Sequence, residues 1–227
     1  MKVFSSWSGG KDSCLACWRA IRSGHKVVGL LNILGEGGRC RSHGVREGVL
    51  RAQSEAMGIP IVQVSTSWED YERTFKDAAL GLKRAGAEGA VFGDIDIWEH
   101  RQWVERVCSE TGLTPLLPLW GGMREDLLRE LIRLVFEAVV VAVRASALGP
   151  EWLGRKVDEV FLDELRKQQV DLSGEGGEYH TLVTDGPLFT SKIEIMEARR
   201  ESRGGYHFLD VAEFRLAGKA GGDGNRR

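Results

Sequence analysis

The first 120 residues of this chain alternate short apolar runs with longer amphipathic ones, and few folds accommodate that rhythm. The segments KVFSSW (2–7), KVVGLLNIL (26–34), IPIVQVS (59–65), GAVFGDI (89–95) and LTPLLPLW (113–120) read as strands. Between them, helical spacing runs over 12–24, 46–58, 68–86 and 97–112, with Gly24 and Gly58 as stops. Strands joined by helices of this length pair in parallel through right-handed crossovers. The expected fold is therefore α/β, a parallel sheet with helices on both faces. Ligands of such sheets sit beyond the carboxyl ends of the strands.

After residue 121 the rhythm changes. A helix (124–134), an apolar strand (136–143) and a helix (155–168) precede VDLSGEGGEYHTLV (170–183). Two segments with period-two alternation, 192–200 and 206–216, then read as strands. The spacing predicts a first domain over 1–121, a smaller α+β domain over 122–216, and a Gly-rich disordered tail over 217–227. GEGG occurs at 35–38 and at 174–177 with different flanks, which is coincidence and not a repeat.

Thirty-one basic residues against 33 acidic ones give a net charge of −2, so general attraction to nucleic acid is not expected. The most apolar stretch, 134–143, contains Glu137 and is too short to span a bilayer. The N-terminus lacks a secretory pattern, and four cysteines (14, 17, 40, 108) suit a reducing compartment. A cytoplasmic protein without a membrane partner is expected.

The turn after the first strand reads SGGKDS (8–13). A strand, a glycine-rich turn and a helix present free amides and a positive dipole end to an anion. Gly9 and Gly10 allow close backbone approach, Lys11 adds a full charge, and Ser8 and Ser13 add hydroxyl donors. The loop is not G-x-x-x-x-G-K-[ST], because Ser5 stands at the first glycine position and Asp12 follows Lys11. A turn whose glycines serve packing alone is the alternative. The Lys, Asp and Ser directly behind the glycines speak for a phosphate cradle.

S-G-G-K-D-S at this junction resembles the PP-loop of the ATP pyrophosphatases, in the adenine-nucleotide alpha-hydrolase-like superfamily. Its members cleave ATP between the α and β phosphates and transfer AMP to a substrate oxygen. A narrower resemblance covers most of the chain. SGGKDSC (8–14), VFGDI (91–95), LPLWG (117–121) and GEGGEYHTLV (174–183) are similar to the diphthine–ammonia ligase family and its bacterial relatives. That resemblance implies a Rossmann-like sheet, ATP with Mg²⁺, and ammonia as the nitrogen donor. The full ligases amidate the carboxylate of diphthine, a modified histidine. They carry a motif near S-Y-M-F/Y-H after the second strand, where this chain has GEGGRCRSHG (35–44) and keeps only His43. A different acceptor is expected.

Residue types and resemblance together give the candidates. Ser8, Gly9, Gly10, Lys11, Asp12, Ser13, Gly93 and Asp94 are expected to bind nucleotide, with Asp94 also holding Mg²⁺. Lys11, Glu175 and Glu178 are the expected catalytic groups, and His43, Gly176, Gly177, Tyr179 and His180 the acceptor contacts. Solvated glutamates in a glycine turn are the alternative for 174–178. Capping the next helix is the alternative for Asp94, although Asp96 suits that cap better. His100 and Arg101 could reach phosphate or face water. Cys17 is expected in the core with Cys14 beside the loop, and Trp7 and Trp120 are expected to pack, with adenine stacking as the alternative. The arginine-rich stretch 39–51 is expected to be solvated or to face substrate sooner than RNA.

The expected reaction is attack of a carboxylate on the α-phosphorus, then of ammonia or an amine on the acyl adenylate. Position 2 is Lys, where an N-terminal glutaminase would need Cys, so free ammonia or an amine on the substrate is expected. Sulfur transfer to a nucleobase and a non-catalytic nucleotide sensor are the rival functions; a homodimer is a further expectation.

Overall fold

The computed structural model describes residues 1–41 and 43–219. The strands β1 (Lys2–Ser6), β2 (Lys26–Leu34), β3 (Ile61–Ser65), β4 (Gly89–Val91) and β5 (Thr114–Leu116) form one sheet in the order β3-β2-β1-β4-β5. Every pairing in it is parallel. The winding direction reverses between β1 and β4, which opens a crevice beyond the carboxyl ends of those two strands.

Alternation along the strands sends side chains to opposite faces. Val3, Leu30 and Val91 meet α1 (Lys11–Arg22) and α2 (Glu47–Met57) on one face. Phe4, Leu31, Ile33 and Ala90 meet α3 (Tyr71–Arg84) and α4 (Trp98–Thr111) on the other. The expected strand at 89–95 stops at Val91, because the chain leaves the sheet at Gly93 to pack on α1.

The second part contains α5 (Arg124–Arg133), β6 (Glu137–Arg144), α6 (Glu159–Lys167), β7 (Tyr179–Asp185), β8 (Ser191–Arg203) and β9 (Tyr206–Gly218). Its sheet runs β7-β6-β9-β8 with every pairing antiparallel. The helix expected from 155 begins at Glu159, because the Asp158 carboxylate accepts from the Phe161 amide at 2.8 Å and caps it. The tail expected to be disordered from 217 starts later. Residues 217 and 218 belong to β9, and Lys219 donates to the Gly186 carbonyl at 2.9 Å. Residues 220–227 lie outside the described residues.

A single apolar core joins the two parts. It takes Val3, Leu15 and Leu30 from the first and Val140, Phe161 and Val183 from the second. A smaller cluster of Val49, Leu50, Val141, Leu182 and Val211 seats α2 on the antiparallel sheet. The helices α1 and α2 thus lie between the sheets, and the N-terminus of α1 faces β7. Among the described residues no helix is long and apolar enough to cross a membrane.

Candidate active site

The chain turns from β1 into α1 through Trp7–Gly10. Gly9 has φ +77°, and a Cβ there would come within 2.4 Å of both Gln53 and Leu50. At Gly10 a Cβ would meet the His43 ring at 2.4 Å. Both glycines are therefore required by close packing, Gly9 against α2 and Gly10 against the His43 ring and the Thr181 carbonyl. The Gly9 carbonyl accepts from the Val183 amide and from Gln53 Nε2, both at 2.9 Å. With that carbonyl held toward β7, the amides of Ser8, Gly9, Asp12 and Ser13 have no acceptor among the described residues. Four free donors at a helix N-terminus are what an anionic oxygen needs.

Lys11 is buried. Its amide donates to Thr181 Oγ1 at 3.0 Å, and its Nζ donates to Asp12 Oδ2 at 2.7 Å and to the Ser173 carbonyl. The Tyr179 ring lies 5.3 Å from Nζ. Burial works against the charge, yet Asp12, with Tyr179 and Glu175 behind it, holds the ammonium protonated above its usual range. Lys11 joins the SGGKDS loop to the GEGG segment, 162 positions away.

That segment is folded by Asp171. Its carboxylate accepts from the Ser173 amide at 3.2 Å and from the Glu175 amide at 2.6 Å, and pairs with Arg124 at 2.8 Å. Glu175 is thereby turned toward the loop. Burial raises its carboxyl to about 7; Asp12 and Asp94 push the same way, while Lys11 and Arg124 oppose them. At the end of β4, a Cβ on Gly93 would fall 2.9 to 3.0 Å from the Asp12–Ser13 backbone, so only glycine permits this approach. Asp94 accepts from His100 Nδ1 at 3.1 Å, which raises the imidazole pKa. The structure therefore brings Ser8–Ser13, Gly93, Asp94 and Glu175 into one crevice.

The remaining candidates are held in contacts of their own. Glu178 pairs with Arg144 at 3.1 Å, and its Oε2 is buried without a partner among the described residues. Gly176 lies against the Glu178 carboxylate and Gly177 beside the Tyr206 hydroxyl. Tyr179 is buried, with its hydroxyl on the Leu172 carbonyl at 2.6 Å. His43 Nδ1 bonds the Thr181 carbonyl at 2.8 Å, and its ring is 4.8 Å from that of His180. Burial lowers His43 to about 4 and His180 well below its usual value, so both rings are neutral.

One local expectation is corrected. The residue before α4 is Ile97 and no side chain caps it; Asp96 instead takes two bonds from Arg124, at 2.7 and 2.8 Å. Arg124 thus ties the β4–α4 turn to Asp171. Arg101 lies over Trp98 and Trp120 and pairs with Glu105 at 2.6 Å. Trp7 is buried with its indole N–H on Gln53, which removes it as an adenine platform. All four cysteines are buried and free, and burial pushes every thiol up, Cys40 and Cys108 to about 11.

Sequence reasoning missed Gln53, Thr181, Asp171 and Arg124. Gln53 had a signal, a polar residue on the apolar face formed by Val49, Leu50 and Met57. Asp171 stood two residues before a Ser-Gly pair, an Asx-turn pattern. Arg124 and Thr181 carried none.

Comparison with known proteins places this arrangement among relatives. A family model described as the diphthamide synthase N-terminal domain matches residues 1–115, and one described as the diphthamide synthase C-terminal domain matches 123–215. Proteins named diphthine–ammonia ligase are 32% identical in Rattus norvegicus, over 96% of this chain and 91% of theirs, and 32% in Homo sapiens, over 95% and 91%. The one from Schizosaccharomyces pombe is 31% identical over 87% of this chain, which spans 36% of that longer protein. A solved structure, the predicted subunit of tRNA methyltransferase from Methanocaldococcus jannaschii, covers 82% of this chain at 15% identity with a TM-score of 0.46. On the matches to both halves and on the identity across nearly its whole length, the chain belongs to the diphthine–ammonia ligase family.

Proposed function

We propose that the chain is an AMP-forming carbon–nitrogen ligase that adenylates a substrate carboxylate with ATP and amidates it with ammonia. The observation that carries this is the row of amides at Ser8, Gly9, Asp12 and Ser13 that have no acceptor among the described residues, in the loop that Lys11 joins to Ser173 beside the GEGG segment. The part over 1–121 holds the nucleotide and the part over 122–216 presents the acceptor.

The loop amides and Lys11 take the negative oxygens of the triphosphate, so charge building on the departing pyrophosphate meets fixed donors. The acceptor carboxylate attacks the α-phosphorus, the α–β bridging bond breaks, and an acyl adenylate forms with pyrophosphate leaving. Ammonia then attacks the acyl carbon and AMP departs. Glu175, poised at about 7, takes the proton that the nitrogen sheds. Asp12 and Asp94 both raise Glu175, against Lys11 and Arg124, and carboxylates so placed suit a cation. No three ligating side chains converge among the described residues, so Mg²⁺ would rest on Asp94 or Asp12 with phosphate oxygens completing its shell, and would supply charge neutralisation there. Buried, protonated thiols speak against sulfur transfer.

Incubation with ATP, Mg²⁺, ammonium and a panel of ¹⁸O-labelled carboxylates tests the proposal. AMP carrying one labelled oxygen, with pyrophosphate, is expected. ADP with phosphate, or no turnover with any acceptor, contradicts it.

A further inference from the structure

Next to the nucleotide loop lies a second cavity, of about 540 Å³, between the 35–44 segment and the tip of the β8–β9 hairpin. Arg39, Arg41 and Arg203 line it, together with Phe208. We propose that this cavity holds the acceptor of the ligase, and that the acceptor is a polyanionic acid bearing at least one further carboxylate or phosphate besides the carboxyl that is activated. The inference rests on the ligase reading above and names its substrate class.

The arginines are not equally free. Arg39 donates to the Gly44 carbonyl at 3.0 Å and to Asp210 at 2.7 Å, and Arg46 also pairs with Asp210, a side chain with 2% of its surface exposed. These bonds anchor the 35–44 segment on β9. Arg41 lies over Trp68 at 5.0 Å and Tyr71 at 5.8 Å, and one terminal nitrogen donates to the Thr66 carbonyl. Its Nε is buried and has no partner among the described residues. A guanidinium desolvated and left short of an acceptor costs stability that a bound anion restores. Arg203 stacks on Phe208 at 4.3 Å, and its other contact is a surface ion pair with Glu201, an interaction of small worth.

The cavity touches the catalytic crevice. Cys40 lines it and sends its Sγ to the Ser8 carbonyl at 3.7 Å. A row of rings runs beside that wall. His43 packs on Gly10, His180 lies 4.8 Å from His43, Tyr206 lies 6.4 Å from His180, and Phe208 lies 6.0 Å from Tyr206. Gly44 allows the last of these, since a Cβ there would sit 2.5 Å from the Phe208 ring. An acid held by Arg41 and Arg203 therefore lies in a cavity whose Cys40 wall reaches the phosphate loop.

Calorimetric titration with citrate, and with acetate as the single-charge control, tests the site without turnover. Citrate should bind and acetate should not. Arg41→Gln and Arg203→Gln should each weaken citrate about tenfold while α,β-methylene-ATP binds as before. Arg203 is on the exposed hairpin tip, so its variant reads the site even if Arg41→Gln disturbs the Trp68 contact. Equal citrate binding in both variants, or its absence in the wild type, overturns the proposal. So does displacement of citrate by α,β-methylene-ATP, which would make the cavity a phosphate site of the nucleotide. Tighter, arginine-dependent binding of a single-stranded RNA oligonucleotide overturns it as well. Each of these results leaves the formation of AMP and pyrophosphate untouched, whereas formation of ADP would sink the ligase reading and leave the citrate result standing.

Discussion

Glu175 makes the local charge balance measurable. Its carboxyl rises from 4.5 to about 7, with burial first and Asp12 and Asp94 after it. Between those values the folded protein keeps a proton that the unfolded chain has released, so stability falls as pH rises through that window. Glu175→Gln removes the titration. Without ligand, the variant should melt above the wild type at pH 8 and much closer to it at pH 5; an equal difference at both values contradicts the assigned environment. The same variant should lose the limb of the amidation rate that rises through about pH 7. Lys11→Ala should cut pyrophosphate release about 100-fold or more, since it removes the one full positive charge in the loop. The contiguous Ser8–Ser13 could be read in the sequence because local order alone shapes a strand–turn–helix. Gln53 could not, because its partners at Gly9 and Val183 lie 44 and 130 positions away.

Among the elements, the end of β4 is the most demanding. Gly93 brings that end against the first turn of α1. Gly93→Ala should push the Asp12–Ser13 peptide out of place, costing about 1–3 kcal/mol of stability and most of the nucleotide affinity. Denaturant melts and titration with α,β-methylene-ATP measure both; unchanged affinity would show that the close approach is incidental. The alternation of apolar runs sufficed for the parallel order, since each crossover helix leaves few arrangements. Boundaries were less legible. The strand at 89–95 read long because Phe92 and Ile95 are apolar, yet both serve the core after the strand has ended. Residues 174–178 look alike as a glycine run, but Asp171 orients Glu175 toward Lys11 while Arg144 takes Glu178.

For the whole molecule, the shared core decides. Family models divide the chain near residue 120, but Val3, Leu15, Val140 and Phe161 belong to one apolar cluster. The protein should therefore unfold in a single calorimetric transition; two resolved transitions would mean that the sheets are held together weakly. The same core fixes β7 against the turn after β1, through Val183 on Gly9 and Thr181 on Lys11. The second part is thus a wall of the proposed nucleotide site, and it leaves four amides without an acceptor among the described residues. A crystal structure with α,β-methylene-ATP and Mg²⁺ tests this most directly. The phosphates should lie on the amides of Ser8, Gly9, Asp12 and Ser13, with the α-phosphorus facing Glu175. Nucleotide seated elsewhere, with that turn empty, would contradict it.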